Sequence, residues 1–154
     1  MLWRKREFVG RAKAQRCPPV SQFGAVQVGH RRARPTKTAW REAIVRVVVL
    51  DMAQQPHAVD AVIDTGFNGF LTLPHAMVHT LQLSLAGNRR VMLGDGSTVV
   101  LDLYLATVLW DTQPREILVL QAEGSPLMGM ALLYGNLVIL YVVDNGNVLI
   151  EPWP

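Results

Sequence analysis

Ala61-Val62-Ile63-Asp64-Thr65-Gly66-Phe67-Asn68-Gly69-Phe70-Leu71-Thr72-Leu73 sets a carboxylate between two apolar runs. A charge in that setting is costly unless it is hydrogen-bonded or does chemistry. The flanking residues are the β-branched, aromatic and aliphatic types that suit buried strands, and Gly66 and Gly69 punctuate the turn between them. Asp-Thr-Gly on its own is also what a turn shows when an aspartate caps its own backbone.

Working outward, residues 44–50 (Ile-Val-Arg-Val-Val-Val-Leu) form a second β-type run, and residues 51–57 supply Pro56 and polar turn residues before the strand at 58–63. Two strands joined by a hairpin thus lead into Asp64. Beyond the short strand at 70–73, Pro74 suits the first position of a helix reaching about Leu83, with Met77, Val78 and Leu81 on one face. Residues 91–93 and 98–108 flank Gly94-Asp95-Gly96-Ser97, and an Asp-Gly pair between apolar strands signals a hairpin. A strand at 116–121, a turn through Gly124 and Pro126, and a helical turn at 130–134 follow. Residues 137–143 and 148–151 make a last hairpin about Asp144-Asn145-Gly146-Asn147. This order predicts a mostly β, barrel-like domain.

With 154 residues, half of them apolar, the chain has the size and core of one domain. Its single cysteine, Cys17, excludes an internal disulfide, and no Cys/His cluster has zinc-ligand spacing. Charge is divided unevenly. Residues 1–41 hold eleven Lys/Arg against one Glu, and the remainder holds four Arg against eleven acids, which makes +10 followed by −7. The basic pI therefore describes the N-terminal part, and the acidic remainder gives no sign of a nucleic-acid groove. Residues 1–40, with Cys17-Pro18-Pro19, Gly24, Gly29 and Pro35 and no sustained periodicity, are expected to be a disordered basic extension. A start codon assigned upstream of the true one reads the same way. Arg31-Arg32-Ala33-Arg34 is the one place where RNA or an acidic surface could be met. No apolar h-region follows Arg4-Lys5-Arg6, and no stretch reaches the ~18 apolar residues of a membrane span, so a cytoplasmic protein is expected.

Other chemistries fall by elimination. His75 and His79 stand four apart, as in a zinc-protease motif, but Ala76 occupies the place of the glutamate base, and ordinary surface histidines are expected. Neither a Gly-x-Ser-x-Gly elbow nor a phosphate-binding glycine loop is present. Cys17 lies in the extension.

What remains is Asp64-Thr65-Gly66, and it stands in order with two further segments, giving Ala61-Val62-Ile63-Asp64-Thr65-Gly66, Leu93-Gly94-Asp95-Gly96-Ser97 and Leu127-Met128-Gly129-Met130-Ala131-Leu132-Leu133. Together, over about residues 43–152, they resemble the retropepsin-like (clan AA) aspartic proteases, in particular their small bacterial members. The resemblance implies an acid-protease fold, a closed β-barrel with one or two short helices, over residues 41–154. It implies an aspartic endopeptidase in which Asp64 is catalytic, Thr65 grips its counterpart across a twofold axis and Gly66 permits the tight turn. The hairpin at Gly94, Asp95, Gly96 and Ser97 becomes a flap closing over a polypeptide substrate, and the third segment passes beneath the active-site loop and props it. No cofactor and no metal is implied. Two departures stand out: the bulky Phe67 follows Gly66, and the flap has few glycines and carries Asp95.

Peptide hydrolysis of this kind needs two carboxylates sharing one proton. Asp60, Asp95, Asp102 and Asp111 lack the motif, so the second carboxylate is expected from an identical subunit, making the active form a homodimer. Two other readings stay open. The same fold can serve as a dimerising or peptide-binding module with weak or absent catalysis, or the basic extension can be an RNA-binding arm on a structural domain.

Overall fold

The computed structural model describes residues 42–144 and 146–153, and the expectation for residues 1–40 lies outside them. Nine strands and two short helices make the described part mostly β. No helix among the described residues is long and apolar enough to cross a membrane.

Strand β1 (Ile44–Leu50) buries Val45, Val47 and Val49 on one face, the alternation its β-branched run dictates. It pairs antiparallel with β2 (Pro56–Ile63), in register from Ile44↔Val62 to Leu50↔Pro56. Strand β3 (Leu71–Leu73) is buried throughout and leads into helix α1 (His75–Thr80). Pro74 is not the first helical residue but the extended residue before it, with φ −68° and ψ 155°. The helix also stops three residues short of the expected Leu83, because Gln82 takes a left-handed φ of 51° and turns the chain out.

Strand β4 (Ser84–Met92) and strand β5 (Thr98–Trp110) form the long hairpin whose turn carries residues 94–97. The expected strand at 91–93 covers only residues 91–92 of β4, and Leu93 lies beyond its end. Residues 84–90 have little β propensity, and they are extended because β5 offers them a pairing edge, with a bulge at Gly87 (φ 139°). Strand β6 (Gln113–Gln121) starts earlier than the expected 116, through a tight turn in which Asp111 and Thr112 both take positive φ (50° and 66°). No glycine marks that turn in the sequence. Strand β7 (Leu127–Met128), helix α2 (Met130–Leu133), and the hairpin of β8 (Asn136–Leu140) and β9 (Val148–Pro152) complete the order.

One sheet runs β1-β2-β7-β3-β6-β5-β4, and a further pairing of β1 with β5 joins six of the strands in a ring, with β4 carried on the other half of β5. Leu71, Leu73, Val49, Val108, Val119, Met128 and Leu132 fill the interior. Strands β8 and β9 form a separate two-stranded sheet, from which Val148 is buried and Val138 and Ile150 pack on the core. Residues 141–143, expected in its first strand, lie in the turn, where the Tyr141 N–H donates to Asn147 O.

Candidate active site

Asp64 leaves the end of β2 where that strand meets β7 in parallel, Ile63 opposite Met128. Its N–H donates to Met128 O at 2.9 Å, and the preceding Ile63 N–H donates to Ala43 O at 2.8 Å, so the residue is held from both sides. The side chain folds back on its own loop: Oδ1 accepts the Gly66 N–H at 2.9 Å. A Cβ at Gly66 would stand 3.2 Å from that same oxygen, so glycine leaves the carboxylate uncrowded. Among the described residues Asp64 makes no ion pair. Asp64 is half-buried, whereas Thr65 and Gly66 are exposed.

The loop is propped from below by the segment that begins at Leu127. Gly129 N–H donates to Phe70 O (2.9 Å), Met130 N–H to Phe67 O (2.8 Å) and Ala131 N–H to Gly69 O (3.1 Å). The first N–H groups of α2, which a helix leaves without partners, are thus satisfied by carbonyls of the Asp64 loop and not by a capping side chain. Strand β7 is itself fixed by Thr72, whose Oγ1 accepts the Leu127 N–H at 2.9 Å.

Two further features of the loop escape a reading of the sequence. Phe67 is accommodated by two glycines: a Cβ at Gly69 would overlap its ring, and a Cβ at Gly129 would meet both the ring and Gly69 O. Thr72, in a strand that reads as simply apolar, is the one polar residue buried among the described residues. Nothing local in the sequence hints at either.

The other candidate residues sit at the tip of the β4–β5 hairpin. Leu93 N–H donates to Ser97 O (2.8 Å) and Gly96 N–H to Leu93 O (2.9 Å), with Gly96 at φ 83°. Asp95 Oδ1 accepts from both the Ser97 hydroxyl (2.7 Å) and the Ser97 N–H (2.8 Å), and these bonds hold its carboxyl below the usual range. Asp95 therefore shapes its own turn. Among the described residues no hydrogen bond joins this exposed tip to the Asp64 loop.

Other acids are engaged elsewhere. Asp60 takes a two-pronged bond from Arg46 (2.7 and 2.9 Å), which lowers its pKa. Asp51 accepts from Gln55 N–H and His57, and both bonds lower its pKa. His75 and His79 are exposed on α1 with ring centroids 6.3 Å apart, and among the described residues no group of three or more His, Cys, Asp or Glu is placed to hold a metal.

Comparison of the chain with protein-family models, with curated proteins and with solved structures finds no match.

Proposed function

We propose that the chain is one subunit of a homodimeric, retropepsin-like aspartic endopeptidase in which Asp64 of each subunit supplies half of the catalytic pair. The observation that carries this is the setting of Asp64: a carboxylate at the mouth of a parallel strand pair, its Oδ1 fixed by the Gly66 N–H, its loop bonded from beneath by residues 128–131. The Gly66 bond alone is that of an ordinary turn, as at Asp95. What favours chemistry at Asp64 is the propping of its loop by residues 128–131, together with the lack of an ion pair among the described residues.

In this reading the two Asp64 carboxyls meet across a twofold axis and share one proton. The ionised one takes a proton from water as the oxygen attacks the scissile carbonyl, and the protonated one donates to the carbonyl oxygen. The tetrahedral intermediate then collapses, the amine leaves with a proton, and the pair returns to its single-proton state. The β4–β5 hairpin, with Gly94, Asp95, Gly96 and Ser97 at its tip, covers an extended peptide and keeps water out. In this reading the β8–β9 hairpin lies in the dimer interface: Val142 in its turn is 84% exposed, Leu137, Ile139, Leu140 and Tyr141 add to the same apolar run, and Tyr134 just before β8 is 85% exposed.

Incubation of the purified protein with a diverse peptide library at several pH values, beside Asp64→Asn, tests the proposal. Cleavage by the wild type, optimal below neutrality and absent from a folded Asp64→Asn protein, is the expected result. Equal cleavage by both proteins, or by neither, defeats it.

A further inference from the structure

The residue after the Asp-Thr-Gly triplet is tied into the site at three points. The Phe67 N–H donates to Asp64 O at 3.2 Å, and its own carbonyl accepts the Met130 N–H at 2.8 Å. Its ring lies where Gly69 and Gly129 lack side chains. The three atoms nearest a Cβ at Gly69 all belong to that ring, and a Cβ at Gly129 would stand 2.5 Å from its Cδ1 and 2.6 Å from the Phe67 carbonyl oxygen. Neither glycine has a positive φ, so their backbones do not demand glycine. Space does.

The ring is not part of the buried core cluster, which neighbouring Phe70 joins at its edge. Phe67 is half-buried, and its ring lies beside Gly69 of the loop and Gly129, the residue just before α2. A large side chain spent on two glycines, next to a functional carboxylate, points to a local duty.

We infer that Phe67 is the positioning residue of this site: its ring, seated on Gly69 and Gly129, locks the Asp64–Phe67 turn onto the start of α2 and so holds the direction of the Asp64 carboxyl. The inference rests on the reading of Asp64 as half of a peptidase pair. Gly69 is then a glycine because of Phe67, and the two positions are coupled. An alanine at 69 expels the ring from its seat and should have the effect of deleting the ring, whereas with the ring already deleted the three atoms nearest the added methyl are gone.

The test uses the full-length protein and four variants: Phe67→Ala, Phe67→Leu, Gly69→Ala and the Phe67→Ala/Gly69→Ala double. Amide hydrogen exchange at Gly66 and Met130 reads the lock directly. Phe67→Ala and Gly69→Ala should each speed it about tenfold while amides of β5 stay unchanged. The double variant should be no worse than Phe67→Ala, and Phe67→Leu, which keeps a carbon against Gly129, should fall between. On the peptide cleaved best in the library, Phe67→Ala should lower kcat by about 100-fold with KM within about twofold, and should displace the pH profile. Unchanged exchange at Gly66 and Met130, additive losses in the double variant, or an unchanged kcat would each overturn the inference. If Phe67→Ala does not fold, Gly69→Ala and Phe67→Leu carry the same comparison. A wild type that cleaves no peptide defeats the peptidase reading alone, and exchange at Gly66 still decides whether Phe67 holds the turn.

Discussion

Thr72 occupies the centre of a strand that reads as Leu-Thr-Leu, and what matters there is its oxygen. The hydroxyl accepts the Leu127 N–H at 2.9 Å, across 55 residues of sequence, in a position only 6% exposed. Thr72→Val keeps the shape but leaves that partly buried N–H without its acceptor, which should cost about 1 kcal/mol in denaturant unfolding. Thr72→Ser, which keeps the acceptor, should lose less. Gly66→Ala acts at the other end of the loop. Its methyl would press on Asp64 Oδ1 at 3.2 Å, so the proposed peptidase activity should drop while the thermal midpoint moves little. At this scale Asp64 was legible because Asp-Thr-Gly is contiguous and stands between apolar runs. The seat of Phe67 was not, since Gly69 and Gly129 are sixty residues apart in sequence and the ring joins them only in the fold. Phe67 reads in sequence as a bulky departure, and its compensation cannot be seen there.

Turns and edges govern the elements. Asp51 ties the β1–β2 turn by accepting the Gln55 N–H and bonding His57, and Asp95 ties the β4–β5 turn through the Ser97 hydroxyl and N–H. Both carboxyls titrate below their ordinary 3.8 in the folded protein. A group with a depressed folded pKa stabilises fully above its unfolded value, and that contribution disappears as the pH falls through the folded one. Thermal midpoints measured downward from about pH 5 should therefore decline below the ordinary carboxylate range, and more steeply than in an Asp51→Asn/Asp95→Asn variant. Among the described residues strand β4 pairs only with β5, so its other edge has no strand partner among them, and Arg89 and Arg90 sit on β4 exposed. Charges on an edge discourage strand addition, so replacing both arginines with threonine should raise light scattering on concentration without lowering the thermal midpoint. The hairpin at Asp95-Gly96 was legible from its turn residues. The one at Asp111-Thr112 was not, because non-glycine residues take positive φ there under the demand of the β5–β6 register, and the length of β4 was hidden because its strand character comes from its partner.

For the whole molecule, one Asp-Thr-Gly per chain means that the proposed peptidase mechanism requires assembly. Mixing equal amounts of wild type and Asp64→Asn and allowing exchange should leave about a quarter of the dimers with two native carboxyls, so activity should fall to about a quarter and not to half. Activity that simply follows the wild-type fraction would show that each chain works alone. Mostly β character and the hairpin order were readable from local pattern, whereas the joining of β1 to β5 and the parallel pairing of β2 with β7 depend on contacts distant in sequence.

The bonds that support the Asp64 loop come from Met128, Gly129, Met130 and Ala131, more than sixty residues later in the chain. During synthesis the loop residues leave the ribosome well before the segment that props them, and chain growth of about 5–20 residues per second makes that a delay of several seconds. A nascent chain, or a fragment ending before Leu127, holds the Asp-Thr-Gly triplet without the bonds that shape it. In the peptidase proposed above, competence would wait until residues 128–131 emerge and bond the loop, and the growing polypeptide would be spared cleavage until then.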